Sequence, residues 1–288
     1  MASDLGTRAV LAPTMLAIVA VIYWLDLSGS FGLRELGVKE GALSASLLGL
    51  LGIGGAWEFA QLMRGGGFAV GKRTLVVATT LLCSSAFWFG WQQLDNELYP
   101  LVAGTLLLLF PLALRSLGRD DMHHGLERQG ATLLGFIMVA WPVYLAMGTC
   151  FRCLPSVLFV VLVCKGGDIG GYCVGRLIGR RKLIPHISPG KTIEGALGSL
   201  VTSVVLAHFL NEPLLGGRVE LPVWGALVTG IVLNFTTQTG DLIESLLKRR
   251  CGAKDSSSLL PAHGGILDLV DSLLFSFCAW FLILVWLT

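Results

Sequence analysis

Charged residues make up only 14% of this 288-residue sequence, and those that could do chemistry gather in two segments, residues 165–194 and 234–271. In both segments aspartates are interspersed with glycine and hydroxyl-bearing residues, and lysines and arginines stand beside them. Carboxylate oxygens bind hard cations such as Mg²⁺, and lysine and arginine bind phosphate. The two segments therefore predict a site that holds phosphate groups together with a divalent metal ion.

The second segment places its carboxylates on helical faces. Asp241, Glu244 and Lys248 are spaced i, i+3 and i+7, which puts them on one side of a helix. Asp268 and Asp271 are spaced i and i+3 at the start of the last apolar run, and we expect them to join Asp241 in a carboxylate cluster. The alternative is a structural network of salt bridges. The cation cluster expected beside the carboxylates consists of Lys191, Lys248, Arg249 and Lys254.

Asp168 lies inside an apolar run, where an ionisable residue is a functional hypothesis by default. Four glycines surround it in the stretch from Lys165 to Tyr172, and glycine is a poor helix former. We interpret the stretch as a broken helix that turns Asp168 toward a polar site, because irregular backbone at membrane depth must line a cavity or be buried in protein. The alternative is an internal Lys165–Asp168 pair that only packs helices.

The stretch 179–195 contains Ser-Pro-Gly-Lys-Thr, which ends like a P-loop. The P-loop interpretation fails because Pro185 occupies the position of the first required glycine and no buried strand precedes the stretch. We expect Ser188 or Thr192 to cap the following helix, which places Lys191 beside the positive helix N-terminus, a natural phosphate site. A basic patch that touches anionic lipid is the alternative.

The elements that position these residues are expected to be membrane helices. The hydrophobic fraction is 54%, and average soluble proteins carry about 25% charged residues, well above the fraction found here. We predict an all-α, polytopic integral membrane protein with about nine transmembrane helices in a single membrane domain over residues 1–288. Residues 1–150 supply N-terminal helices, and 151–288 carry the site. The nine apolar runs are 9–25, 42–63, 74–91, 98–114, 130–148, 155–178, 193–210, 221–243 and 270–287.

The distribution of positive charge orients the predicted helices. With nine spans and the N-terminus inside, most of the 21 lysines and arginines fall on inner loops. This asymmetry is what the positive-inside rule describes. We therefore expect a cytoplasmic N-terminus, and we expect both charged segments at the cytoplasmic boundary.

Residues 238–271 resemble the signature of the phosphatidate cytidylyltransferase (CDP-diacylglycerol synthase) family. The stretches 168–172 and 187–195 are also similar to that family, and Trp57-Glu58 is a weaker likeness. One position departs from the pattern, because Leu269 stands where the family usually has arginine. The residues that carry the signature are Ser245, Lys248, Arg249, Lys254, Asp255, His263, Gly264, Gly265, Asp268 and Asp271.

The resemblance implies transfer of the cytidylyl group of CTP to phosphatidate, which gives CDP-diacylglycerol and pyrophosphate. The cofactor that it implies is Mg²⁺, and a second cation is left open. On this hypothesis the catalytic residues are Asp241, Asp268, Lys248 and Lys191. The metal ligands are Asp241, Asp268, Asp271 and Asp168. The substrate-binding residues are Ser188, Thr192, Arg249, Lys254, Asp255, His263, Gly264 and Gly265. The expected partners are CTP, phosphatidate and membrane lipids, and no nucleic acid is expected. A homodimer is left open. The expected location is the bacterial inner membrane.

Three other functions stay open at this stage. A CTP-dependent lipid kinase, or a nucleotidyltransferase with another phospholipid acceptor, would use similar residues. A catalytically weak, lipid-binding homologue is favoured only by Leu269. A transporter would suit the intramembrane Lys165 and Asp168, but the two halves of the sequence show no symmetric pair of broken helices.

Overall fold

The computed structural model describes residues 17–29, 37–92, 99–117, 122–219, 221–257, 259 and 264–287, and most of them are helical. The chain forms two compact units, which are described separately below. The first unit comprises Met1–Arg152 and Arg250–Leu269, and the second comprises Cys153–Arg249 and Val270–Thr288. The single membrane domain stays a prediction.

The first unit contains six α-helices in its described part. A π-helical segment, Phe136–Ala140, joins the fifth helix to the sixth. Asp26 caps the second helix from a distance: its carboxylate accepts hydrogen bonds from the backbone N–H groups of Gly41 and Ser44, both at 2.9 Å. A carboxylate is favourable there because it meets unpaired N–H groups at the positive end of the helix. The helices are α1 (Ala17–Ser28), α2 (Ala42–Gly65), α3 (Lys72–Gln92), α4 (Tyr99–Leu117), α5 (Met122–Gly135) and α6 (Trp141–Arg152).

The second unit contains three long helices, a small β-hairpin and most of the last helix, α10. The hairpin was not predicted; it pairs antiparallel strands with Lys182 opposite Thr192 and Ile184 opposite Ser188. The next helix follows the hairpin without a break, so the hairpin residues are held at that helix's N-terminus. The elements are α7 (Leu154–Ile178), β1 (Lys182–Ile184), β2 (Ser188–Thr192), α8 (Ile193–Leu215), α9 (Val223–Arg250) and α10 (Ile266–Leu287).

The predicted break at Asp168 is wrong, because α7 is one continuous helix through all four glycines. The glycines serve helix packing instead. A Cβ atom on Gly167 would collide with Ser203 Oγ of α8, and one on Gly171 would lie 3.0 Å from the Gly195 carbonyl oxygen. Small residues spaced four apart let helix backbones approach closely in this way.

The same close approach joins α9 to α8 at Gly230, where it can be tested. A Cβ atom there would lie 2.7 Å from the Cα atom of Val204, which is backbone and cannot rotate away. We expect Gly230→Ala to destabilise the protein by about 1–3 kcal/mol through overpacking. Thermal unfolding in detergent should show a midpoint several degrees below that of the wild type.

Gly130→Ala is the matched control for this prediction. Gly130 is also helical, but a Cβ atom there has nothing within 4 Å. Alanine is a better helix former than glycine, so this variant should be as stable as the wild type or slightly more stable. Equal midpoints for the two variants would contradict the packing argument.

Five described helices are long and apolar enough, by length and composition, to cross a bilayer. The prediction of a helical membrane protein with several spans agrees with this finding, whereas the number nine and the cytoplasmic N-terminus stay predictions. α9 is long but is not one of the five, and it carries Asn234, Gln238 and Asp241. The five are Ala42–Gly65, Gly125–Arg152, Leu154–Ile178, Ile193–Leu215 and Ile266–Leu287.

Candidate functional site

A cavity of about 490 Å³ in the second unit brings the two charged segments together. It lies among α7, the β-hairpin, the start of α8 and the middle of α9, and it is called the hairpin cavity below. Carboxylates, cations and amide groups share its wall, as expected for a site that binds a charged ligand. The polar residues with the largest side chains in its lining are Asp168, Tyr172, Arg176, Lys191, Gln238 and Asp241.

Lys191 and Asp241, both predicted site residues, form an ion pair in this cavity. The distance between Lys191 Nζ and Asp241 Oδ2 is 2.6 Å, and the two side chains are 26% and 34% exposed. Ser245 Oγ donates to the other carboxylate oxygen, Oδ1, at 3.3 Å. A pair this accessible to water adds little to stability. Its ammonium and carboxylate groups remain available to a ligand that enters the cavity.

The N-terminus of α8 forms one end of the hairpin cavity. Thr192 is its N-cap, and its side-chain oxygen accepts a hydrogen bond from the Gly195 N–H at 3.1 Å. Of the two predicted caps, Thr192 is therefore confirmed, whereas Ser188 lies on β2 opposite Ile184. Lys191 directly precedes the cap, so its charge adds to the positive end of the helix dipole, as the sequence predicted.

Asp168 and Asp271 lie close enough to Asp241 to interact with it electrostatically. Asp168 lines the hairpin cavity itself. Lys165 Nζ donates to Ser272 Oγ at 2.8 Å, so the Lys165 ammonium contacts α10. Within the described residues, no three His, Cys, Asp or Glu side chains form a ready-made metal site.

Lys248 and Arg249 were predicted to bind the substrate or take part in catalysis, but their contacts in the structure are structural. Lys248 Nζ lies 2.6 Å from Glu244 Oε2, and these side chains are only 13% and 4% exposed. This buried pair, one turn apart on α9, agrees with the alternative of a structural salt bridge at this position. Arg249 is exposed, and its Nε donates to the Ile187 carbonyl oxygen at 3.5 Å, which links α9 to the hairpin turn.

The amide side chains of Asn234 and Gln238 were not predicted as part of the site, although Gln238 lines the hairpin cavity and Asn234 accepts a hydrogen bond from it. Asn234 Nδ2 donates to Ser199 Oγ at 2.6 Å, and Gln238 Nε2 donates to Asn234 Oδ1 at 2.6 Å. These hydrogen bonds brace α9 against α8. A signal was present in the sequence, because Asn234, Gln238, Asp241 and Ser245 recur at helical spacing and form a polar stripe on α9.

In the first unit, Asp268 organises the loop that precedes α10. Its Oδ2 accepts three hydrogen bonds of 2.8 Å, from the backbone N–H and the hydroxyl of Ser256 and from the N–H of Gly265. The last bond is half of a capping box, in which the third helical residue reaches back to the N-cap. Gly265 itself is buried. Gly264 has φ +86°, a conformation that favours glycine.

The loop that precedes α10 also contacts Glu58 of α2. In the sequence, Glu58 was only part of a weak family likeness. It is 0% exposed on α2. Its Oε1 accepts from Ser257 Oγ at 2.7 Å, and its Oε2 accepts from the Leu267 N–H at 2.8 Å. A carboxylate in the apolar run 42–63 was the available signal. Lys254 and Asp255 are exposed in the same loop, and His263 lies outside the described residues.

A model of the cytidylyltransferase family matches residues 8–287. The chain is 32% identical to the phosphatidate cytidylyltransferase of Pseudomonas aeruginosa over 240 residues, 81% of this chain and 84% of that protein. It is 44% identical over 120 residues to the phosphatidate cytidylyltransferase of Haemophilus influenzae, covering 40% and 41% of the two chains. It is 42% identical to the uncharacterized protein YnbB of Escherichia coli, covering 42% and 39%. The chain thus spans about two fifths of the length of the latter two relatives.

Proposed function

Because this chain belongs to the cytidylyltransferase family, we propose that it transfers the cytidylyl group of CTP to phosphatidate, giving CDP-diacylglycerol and pyrophosphate. The observation that carries this proposal is the hairpin cavity, in which Lys191, at the positive end of α8, meets Asp241 and Asp168. The names of the Pseudomonas and Haemophilus relatives support the choice of substrates.

The proposed reaction needs little proton transfer. An oxygen of the phosphatidate phosphate, already anionic at neutral pH, attacks the α-phosphorus of CTP. A new phosphorus–oxygen bond forms, the bond from the α-phosphorus to the bridging oxygen breaks, and pyrophosphate leaves with the electron pair. Catalysis then rests on positioning and charge neutralisation. Lys191 and Arg176 supply cations in the cavity, and Lys191 can exchange its carboxylate partner for a phosphate oxygen.

The hairpin cavity also suits Mg²⁺. Proteins bind this ion through one or two carboxylates, and substrate phosphates complete its shell. Asp241 and Asp168 line one cavity, and Asp271 lies within electrostatic range of Asp241. When bound, Mg²⁺ would neutralise charge on the triphosphate. The family resemblance supports two further proposals: Asp268 is an additional metal ligand, and a second cation binds at the site.

We further propose a placement in the bacterial inner membrane, with about nine transmembrane helices, a cytoplasmic N-terminus and the active site on the cytoplasmic side. Support comes from the distribution of lysine and arginine along the sequence and from the bacterial relatives. The placement suits the substrates, because CTP arrives from the cytoplasm and phosphatidate from the bilayer. A homodimer is compatible with this arrangement.

One assay tests the proposed activity and its nearest alternative. Purified protein is incubated with CTP, phosphatidate and Mg²⁺, and both pyrophosphate and the lipid products are measured. CDP-lipid and pyrophosphate in equal amounts are expected, with neither formed when phosphatidate is omitted. Release of CDP with a phosphorylated lipid would instead identify a CTP-dependent lipid kinase. Absence of any turnover would contradict both enzymes.

The catalytically weak homologue is favoured by one position, Leu269. Its side chain is 36% exposed in the first turn of α10, so arginine fits there without burying a charge. If the missing cation limits the reaction, Leu269→Arg should raise the initial rate of pyrophosphate release by about tenfold or more, because one hydrogen bond to a charged group contributes about 1.5–3 kcal/mol. Leu269→Gln, which adds polarity without charge, is the matched control. Equal rates for both variants would show that this position does not limit activity.

A further inference from the structure

A second cavity, of about 1050 Å³, lies within the first unit. It is enclosed by the end of α2, the following loop (residues 66–71), the start of α3 and one residue of α5. No acidic residue lines it among the residues that the structure describes. One carboxylate contacts the loop: Glu127 Oε1 accepts from the Ala69 N–H at 3.1 Å. The basic residues that line this second cavity are Arg64, Lys72, Arg73 and Arg128.

The loop that carries part of this wall is fixed from several sides. Arg64 donates from Nε and Nη2 to the Val70 carbonyl oxygen at 3.1 and 2.7 Å. The Gly71 N–H donates to Thr132 Oγ1 at 2.9 Å. Lys72 Nζ lies 4.0 Å from the centre of the Trp57 ring. The carbonyl and the ring are neutral partners, and within the described residues neither Arg64 nor Lys72 forms an ion pair. The positive charges of both therefore lie in a wall that is already ordered.

Arg73 and Arg128 add two further charges. Within the described part of the chain, neither guanidinium makes a hydrogen bond or an ion pair. Four cations around one cavity repel one another, and an anion placed among them would relieve that repulsion. Arginine in particular suits phosphate, because its planar fork of donors matches two phosphate oxygens. The cavity therefore favours a phosphate-bearing ligand.

The rest of the wall favours a lipid over a soluble phosphate compound. Phe68, Val76 and Val77 line the same cavity as the cations, and the Val77 side chain is 57% exposed. Basic pockets between membrane helices bind phospholipid headgroups, with the acyl chains along neighbouring apolar surface. We propose that this second cavity binds the phosphate group of an anionic membrane phospholipid. Its lining shares no residue with that of the hairpin cavity, and its test does not depend on the proposed enzyme activity.

Native mass spectrometry in a neutral detergent tests the proposal with phosphatidylglycerol as the probe. The wild-type protein should bind it in preference to the zwitterionic phosphatidylcholine. Arg73→Gln combined with Arg128→Gln should weaken phosphatidylglycerol binding about thirtyfold, because each cation near an anionic lipid contributes about 1 kcal/mol. Neither side chain makes a hydrogen bond in the described structure, so the double variant should fold normally, which circular dichroism checks.

The matched control removes two charges elsewhere, with Arg180→Gln combined with Lys182→Gln on the exposed hairpin. It should bind phosphatidylglycerol like the wild type. Equal weakening in both double variants would mean a general charge effect and would overturn the site. Inorganic phosphate and CTP are tested as competitors. If phosphate or CTP displaces phosphatidylglycerol at a concentration similar to that of the lipid, the cavity binds a soluble phosphate compound and the lipid proposal fails.

Discussion

Replacing Asp241 by asparagine is expected to lower the turnover of CTP and phosphatidate about 10²–10³-fold, the usual effect of removing one electrostatic contact to the reacting groups. The substitution keeps an oxygen that can accept from Ser245 but removes the charge that faces Lys191 and the proposed Mg²⁺. Because the ion pair is about a third exposed, its loss should change stability by less than about 1 kcal/mol. The measurements are kcat for pyrophosphate release and the thermal unfolding midpoint.

Glu212→Gln is the matched control for Asp241→Asn. It removes one carboxylate charge from the second unit at an exposed position near the end of α8, outside the hairpin cavity. Its rate should equal that of the wild type. A second comparison uses Lys191: arginine there keeps the cation and should retain more activity than glutamine. If Asp241→Asn keeps more than a third of wild-type activity, the Lys191–Asp241 pair is structural and the proposed site is wrong.

Replacing Glu58 by alanine is expected to destabilise the first unit by about 3–6 kcal/mol. The estimate counts two hydrogen bonds to a charged acceptor, from Ser257 Oγ and the Leu267 N–H, at roughly 1.5–3 kcal/mol each. The Leu267 N–H would lose its acceptor in a buried place and the Ser257 hydroxyl in a half-buried one, and the N-terminus of α10 would lose part of its cap. Thermal unfolding in detergent measures the loss. Amide hydrogen exchange at Leu267 should report faster opening.

Two variants separate this role of Glu58 from a general effect of losing a glutamate. Glu58→Gln keeps an oxygen for the Leu267 N–H and an amide that can donate to the Ser257 hydroxyl, so most of the stability should return. Glu127→Ala removes an exposed glutamate with one hydrogen bond, to the Ala69 N–H, and should cost no more than about 1 kcal/mol. Similar losses in Glu58→Ala and Glu127→Ala would contradict the capping role.

The β-hairpin was beyond sequence-based prediction for a physical reason. The stretch 182–192 contains proline and glycine and lacks the alternation that marks a strand, so its pairing depends on the turn and on the helices beside it. Glu194 illustrates this dependence, because its carboxylate accepts from the backbone N–H groups of Arg180 and Arg181. Such contacts tie the base of the hairpin together and leave no periodic pattern.

The membrane character of the protein, its family and the cation at the start of α8 could all be predicted from the sequence. Those properties depend on hydropathy, residue type and local spacing, and Lys191 beside the cap Thr192 is a local feature. The packing of the α7 glycines against α8, in place of a broken helix, became visible only in the folded molecule. The same holds for the burial of the Lys248–Glu244 pair and of Glu58, which lies against the loop that precedes α10. These outcomes depend on which side chains meet in space, and that is set by how whole helices pack.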